Sequence, residues 1–259
     1  MSNIHSTAII EEGAKIADNV TIGAFVSISS QTTIGKNSII DAHAVITGKT
    51  TIGEGNHIFS HAVVGSIPQD LKFDGEEVEL IIGNNNKIRE FTLLNPGTKG
   101  GGSVTRIGNN NLLMGYVHLG HDVILGDNCI LANGATLAGH VELGNHVVIG
   151  GLTPIHQFVH IGDYAMIGGA SALSQDIPPY CLAEGNRATL RGLNLTGLRR
   201  AISRDEINAL KIAYRELFES GEALQETVKR LETTSSSEHV KNLIEFITQS
   251  KRGIPYIRK

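Results

Sequence analysis

Aliphatic residues recur along the first two thirds of the chain with a period of six. From Ile4, every sixth residue is Ile or Val through Ile10, Ile16, Ile22, Ile28, Ile34, Ile40, Ile46, Ile52 and Ile58 to Val64. The phase lapses near 65–80, returns at Ile82, Ile88 and Leu94, lapses again near 95–106, and runs unbroken from Ile107 to Leu173. Two residues before the anchors stand mostly small or β-branched side chains, among them Ala8, Val20, Ala44, Cys129, Ala135, Val141, Val147 and Ala165. These two positions obey strand alternation. Six residues are too few for a helical hairpin, so each hexad predicts one short strand and a corner, with three sides closing a coil of 18 residues. The 26 hexads then predict roughly nine coils about 4.8 Å apart, a prism ~40 Å tall whose stability lies in stacking. Gly follows 12 of the anchors, for example Gly23, Gly53, Gly126 and Gly162. Positive φ at the corners is the expected reason.

Beyond Leu173 the period changes to that of helices. Ser203-Arg204-Asp205-Glu206 reads as a capping box ahead of Ile207, Leu210, Tyr214, Leu217 and Phe218 at helical spacing. A second amphipathic stretch carries Leu224, Val228 and Leu231, and a third, after Ser235-Ser236-Ser237, carries Val240, Leu243, Ile244 and Ile247. The chain is therefore expected to be mainly β, a prism over 1–186 followed by a helical domain over 187–259. Charge divides at the same place: 8 Lys/Arg against 17 Asp/Glu over 1–186, and 14 against 9 over 187–259. A basic end on an acidic shaft suits an acidic partner.

Composition adds mostly exclusions. The 259 residues hold 30 Gly and only 5% aromatics, in keeping with an array. No apolar run approaches the ~18 residues of a membrane span, and Met1-Ser2-Asn3-Ile4-His5 lacks a secretory signal, so a cytoplasmic, non-spanning protein is expected. Two cysteines are too few for a disulfide framework. Gly100-Gly101-Gly102 lacks the Lys-Ser/Thr of a phosphate loop, and a net charge of -4 argues against nucleic acid.

Ten of the eleven histidines precede residue 161. His121 stands two residues after an anchor, which turns it outward; one coil on lie Gly139 and His140, and another coil on His156 and Gln157. Three imidazoles are thus expected along one outer edge, with His118 and Asp122 beside the first. An imidazole titrates near neutrality, so it can take a proton from a hydroxyl and return it to a leaving thiolate. A glycine leaves its N–H open to a developing oxyanion.

The pattern [Ile/Leu/Val]-Gly-x-x-small-x resembles the hexapeptide-repeat acyltransferases, whose fold is a left-handed parallel β-helix. More specific segments are Gln69-Asp70-Leu71-Lys72, Asn111-Leu112-Leu113-Met114, His118-Leu119-Gly120-His121-Asp122, 130–140, Ile155-His156-Gln157-Phe158, Gln175-Asp176-Ile177-Pro178-Pro179-Tyr180 and Glu184-Gly185-Asn186. They resemble, over essentially the whole chain, the branch of that family that acylates the 3-position of UDP-N-acetylglucosamine at the first step of lipid A synthesis. The resemblance implies a homotrimer with active sites between subunits, a donor in which acyl carrier protein holds a 3-hydroxyacyl chain, and no cofactor or metal. It implies His121 as general base, Asp122 as its neighbour and Gly139 as oxyanion donor. Asp70, Lys72, Asn95, His118, His140, His156, Gln157 and Arg200 fall at substrate-contacting positions. Gly169 falls where acyl-chain length is limited, although it also suits a plain corner. Asn95-Pro96 replaces the His-Arg pair of the commonest members, which leaves either a 3-hydroxyl or a 3-amino sugar open as acceptor.

Three rivals stand against this reading. A γ-type carbonic anhydrase shares the prism, and His118-x-x-His121 with His140 would offer zinc three nitrogens. The related N-acyltransferase carries an additional N-terminal uridine-binding domain, for which hexads starting at Ile4 leave no room. A non-catalytic scaffold is opposed only by the outward histidine edge.

Overall fold

The computed structural model describes residues 2–257, in which twenty-seven short strands precede four helices. Met1, where the leader reading starts, and Arg258 and Lys259, the end of the basic tail, lie outside the described residues. Strands from Asn3–Ile4 to Met166–Ile167 each end on a hexad anchor, and Leu173 makes an isolated bridge with Ile155. Each of these strands pairs in parallel with one three places away in the order: Ile4 with Ile22, Ile10 with Ile28, Ile16 with Ile34. The chain therefore winds around three parallel sheets with an 18-residue step. From Ile22 to Ile167 no anchor is more than 3% exposed, whereas Ile4, with no coil beneath it, is 45% exposed. Each buried aliphatic contributes roughly 1.5–3 kcal/mol, a gain realised only when the next coil is in place.

The glycines do something other than expected. Gly23, Gly53, Gly126 and Gly162 have ordinary negative φ; the left-handed corner falls three residues after the anchor, at Asn19, Asn37, His43, His61, Asn85 and Asn128 among others. What excludes a side chain after the anchor is the neighbouring coil. A Cβ on Gly53 would lie 2.6 Å from the Gly83 carbonyl oxygen, and one on Gly126 2.6 Å from that of Gly144. Backbone stacks directly on backbone there. Asn and Asp serve the left-handed corner because their short polar side chains tolerate it.

Both breaks in the period are excursions from one corner. Across 65–78 the stacked partners are Ile52 and Ile82, 30 residues apart, and across 95–103 they are Leu94 and Leu119, 25 apart; the coils resume in register after each. Val64 and Leu94, which precede the two excursions, stack in the second sheet under Leu119 and Leu137.

Past the last coil, Cys181–Glu184 and Thr189–Leu193 form an antiparallel hairpin on the first sheet, which hexad spacing does not predict. Four helices follow: α1 (Leu195–Ala201), α2 (Arg204–Phe218), α3 (Leu224–Thr234) and α4 (Glu238–Gln249). The last three match the amphipathic stretches; α1 is additional, capped by the Asn194 side chain, which accepts from Gly197 N–H at 3.1 Å. The capping box is half formed. Ser203 Oγ accepts from Glu206 N–H at 3.2 Å, but the Glu206 carboxylate turns away to accept from Ser237 Oγ, the N-cap of α4, and so ties α2 to α4.

Candidate active site

The site grows from the corner where the chain leaves its coil twice. Asn95, 1% exposed, donates its amide to the carbonyls of Ser66 and Ile67 at 2.9 and 3.1 Å and so holds the base of the first excursion. Near the end of that excursion, the Glu76 carboxylate accepts from the backbone N–H of Asp74 and of Lys99 in the second excursion, which holds its pKa below the usual carboxylate range. The two loops frame a cleft of about 710 Å³ lined by Asp70, Lys72, Thr98, Lys99, His140 and Phe158.

Beside this cleft, His121 Nδ1–H donates to Asp122 Oδ2 at 2.8 Å; the His121 side chain is 17% exposed and that of Asp122 1%. Asp122 has a left-handed backbone, φ 59°, which turns its carboxylate under the second excursion. Its Oδ1 accepts from Thr98 N–H at 2.9 Å, its Oδ2 also accepts from the Thr98 hydroxyl at 2.6 Å, and its own N–H donates to Thr105 Oγ1 at 2.8 Å. With Nδ1 so committed, the free lone pair of His121 is on Nε2. That nitrogen lies over Gly139, where a Cβ would come within 2.5 Å of it. Leu119 and Leu137 stack in register, so the sequence step from His121 to Gly139 is one coil. Among the described residues, nothing accepts from Gly139 N–H. The ring of His140 meets that of His121 edge-on at 5.0 Å and stacks on Phe158 at 4.4 Å. Burial pushes its pKa below the ordinary imidazole value, against the pull of the Asp122 carboxylate.

Not every expected residue joins this cluster. His118 turns to the Leu93 carbonyl, donating from Nδ1 at 3.2 Å, and burial lowers its pKa as well. His156 is exposed and bonds the Gln157 carbonyl at 3.1 Å, and the ring stacked on His140 is Phe158, not His156. Asp70 accepts from Lys72 N–H at 3.0 Å within the first excursion. Arg200 is exposed in the last turn of α1. Gly169 is exposed with negative φ, and a Cβ there would meet only Gly151 at an ordinary 3.5 Å, so no corner geometry requires glycine at this position. Thr98, Gly101 and Thr105 escaped sequence reasoning. Their one signal was that the repeat broke just below the histidine coil.

The zinc set is not assembled. The metal-ligand donors that converge among the described residues are His121, Asp122 and His140, within 4.8 Å of one another, with Asp122 in place of His118. The Asp122 oxygens are already engaged by Thr98 and His121.

Residues 176–255 match the family model for UDP N-acetylglucosamine O-acyltransferase, domain 2, and residues 105–139 that for the bacterial transferase hexapeptide, six repeats. A Sulfurovum sp. (strain NBC37-1) protein named acyl-(acyl-carrier-protein)–UDP-N-acetylglucosamine O-acyltransferase is 74% identical over 259 residues, covering 100% of both chains. A protein of the same name from Aliarcobacter butzleri is 66% identical over 260 residues, again covering 100% of both. The solved UDP-N-acetylglucosamine acyltransferase from Campylobacter jejuni is 51% identical and superposes with a TM-score of 0.95, covering 99% of this chain and 100% of that one. These matches give the carbonic anhydrase reading no support.

Proposed function

Because the chain belongs to the UDP-N-acetylglucosamine O-acyltransferase family, we propose that it carries out that family's reaction with His121 as general base. It is an acyltransferase of lipid A biosynthesis, moving a 3-hydroxyacyl chain from acyl carrier protein to the sugar 3-position of UDP-N-acetylglucosamine. The observation that carries our assignment of roles is the pairing of a committed Nδ1 with a free Nε2 beside an unpaired N–H: His121 donates to Asp122 while its other nitrogen faces Gly139. In the reaction, Nε2 takes the proton of the C3 group as that group attacks the thioester carbonyl. The oxyanion that develops accepts from Gly139 N–H. Collapse breaks the carbon–sulfur bond, and the imidazolium returns its proton to the departing thiolate. Asp122 holds the tautomer and balances the transient positive ring.

Asp70, Lys72, His118, His140, His156, Gln157 and Arg200 are the substrate contacts in this reading. With His156 and Arg200 both exposed in one chain, we take the working enzyme to be a homotrimer whose sites are completed across subunits. The coil is taken as a left-handed parallel β-helix, supported by the superposition on the Campylobacter enzyme. Among the described residues no helix is long and apolar enough to cross a membrane, and we assign the reaction to the cytoplasm. Asn95 is a further substrate position in this reading: its amide N–H pins the first loop while its Oδ1, among the described residues, has no partner, and it leaves either a 3-hydroxyl or a 3-amino sugar admissible. A panel of 3-hydroxyacyl carrier proteins against both sugars tests the proposal: transfer to at least one is expected, and refusal of both overturns it.

A further inference from the structure

We propose that Thr98 is a positioning residue for the His121–Asp122 pair, a role that rests on His121 being the base. Its two donors clamp the two carboxylate oxygens of Asp122, N–H to Oδ1 at 2.9 Å and hydroxyl to Oδ2 at 2.6 Å. The hydroxyl therefore shares Oδ2 with His121 Nδ1–H. A charge-assisted O–H···O bond of this length fixes where the carboxylate points and draws negative charge from the oxygen that steers the imidazole. Thr98 is 5% exposed, and the turn Lys99–Gly101 that follows closes so tightly that a Cβ on Gly101 would fall 2.0 Å from Asp122 Cγ. The second excursion is thus a fitted lid over one carboxylate. The titratable groups packed around His121 are Asp122, His118 and His140, with Asp70 acting on His140; His140 Nε2 stands 3.8 Å from the same Oδ2, beyond hydrogen-bond distance.

Removing that hydroxyl leaves Oδ2 with more charge and less orientation. The carboxylate then holds a protonated imidazole more firmly while presenting it less accurately. In Thr98→Val, kcat should fall about tenfold to a hundredfold, with KM for the sugar nucleotide within about twofold of wild type. The acid limb of the kcat–pH profile should move to higher pH, and Thr98→Ser should recover most of the rate. Thr98→Ala, which adds no bulk beneath the lid, should repeat the loss of kcat and serves if the valine variant melts early. The inference is overturned by a kcat within about twofold of wild type in both variants. A rise in KM matching the loss of rate, with no shift in pH profile and no recovery by serine, also overturns it, since a merely structural lid would distort the cleft at Lys99. An inactive wild-type enzyme in the same assay counts against the proposed function instead.

Discussion

At the corner between the first and second sheets, Phe25, His43, His61, Phe91 and Tyr116 stack ring on ring at 4.9–5.2 Å, one per coil. At the corner between the second and third, the same step of the repeat carries Asp122, His140 and Phe158. The backbone is left-handed at every one of these residues. Their surroundings differ: Phe25 is 58% and Tyr116 63% exposed, whereas Asp122 is 5% exposed beneath the second excursion. A histidine in a repeat is an ordinary corner residue until something covers it. Both excursions leave from the second corner, and the chemistry proposed for His121 falls where, among the described residues, the chain departs from its coil to close over a carboxylate.

That contrast breaks most directly by exchanging like for like. His121→Ala should lower kcat/KM by about 10² or more, the range for loss of a general base, whereas His61→Ala removes a ring of the same kind and should leave turnover within about twofold. Stacked rings contribute on the order of 0.5–1.5 kcal/mol, so the His61 variant should register in its melting temperature instead. Parallel steady-state assays and thermal melts separate the two; equal losses of activity would erase the distinction between the corners.

Two glycines sharpen it. A methyl on Gly139 would reach within 2.4 Å of His121 Cε1, so Gly139→Ala should displace the ring and cost about 10² in kcat/KM. Gly169 has room for a side chain, and Gly169→Met should leave the fold intact while shifting preference toward shorter acyl chains by roughly tenfold. Competition between two acyl lengths reads the second directly. Unchanged selectivity would return Gly169 to the status of a plain corner residue.

The coil was legible in the sequence because one physical demand, an aliphatic side chain stacked every 18 residues, repeats at positions that nothing else explains. His121 and Gly139 were legible for the same reason: a fixed step converts sequence distance into neighbourhood. Legibility ends where the repeat does. Thr98 meets Asp122 across 24 residues that include a turn without periodicity, and no spacing announces the contact. Asn95 falls at a substrate-contacting position by the resemblance, and no spacing announces what it does here: its amide N–H holds the backbone of another loop while its Oδ1, among the described residues, has no partner. The glycines after the anchors failed differently. Their position was plain, but a turn and a close backbone approach call for the same residue, and only coordinates separate the two.

Covering a corner also makes it sensitive to acid. Burial lowers the His118 pKa below the ordinary imidazole value of 6.5, so between the folded and ordinary values the unfolded chain binds a proton that the folded one resists. Stability then rises with pH across that interval: the contribution is complete above about 6.5 and declines as the pH drops below it. His140 is shifted in the same direction for the same reason, so the two add. The carboxylates whose pKa is lowered, such as Glu76, act in a more acidic window, below the ordinary value of 4.5. His118→Asn keeps a donor for the Leu93 carbonyl and cannot titrate. Its melting temperature should therefore decline less steeply than that of wild type between about pH 6.5 and 4.5, the smallest of these effects. Superimposable slopes would mean that the cost of protonating the covered corner falls on His140 instead.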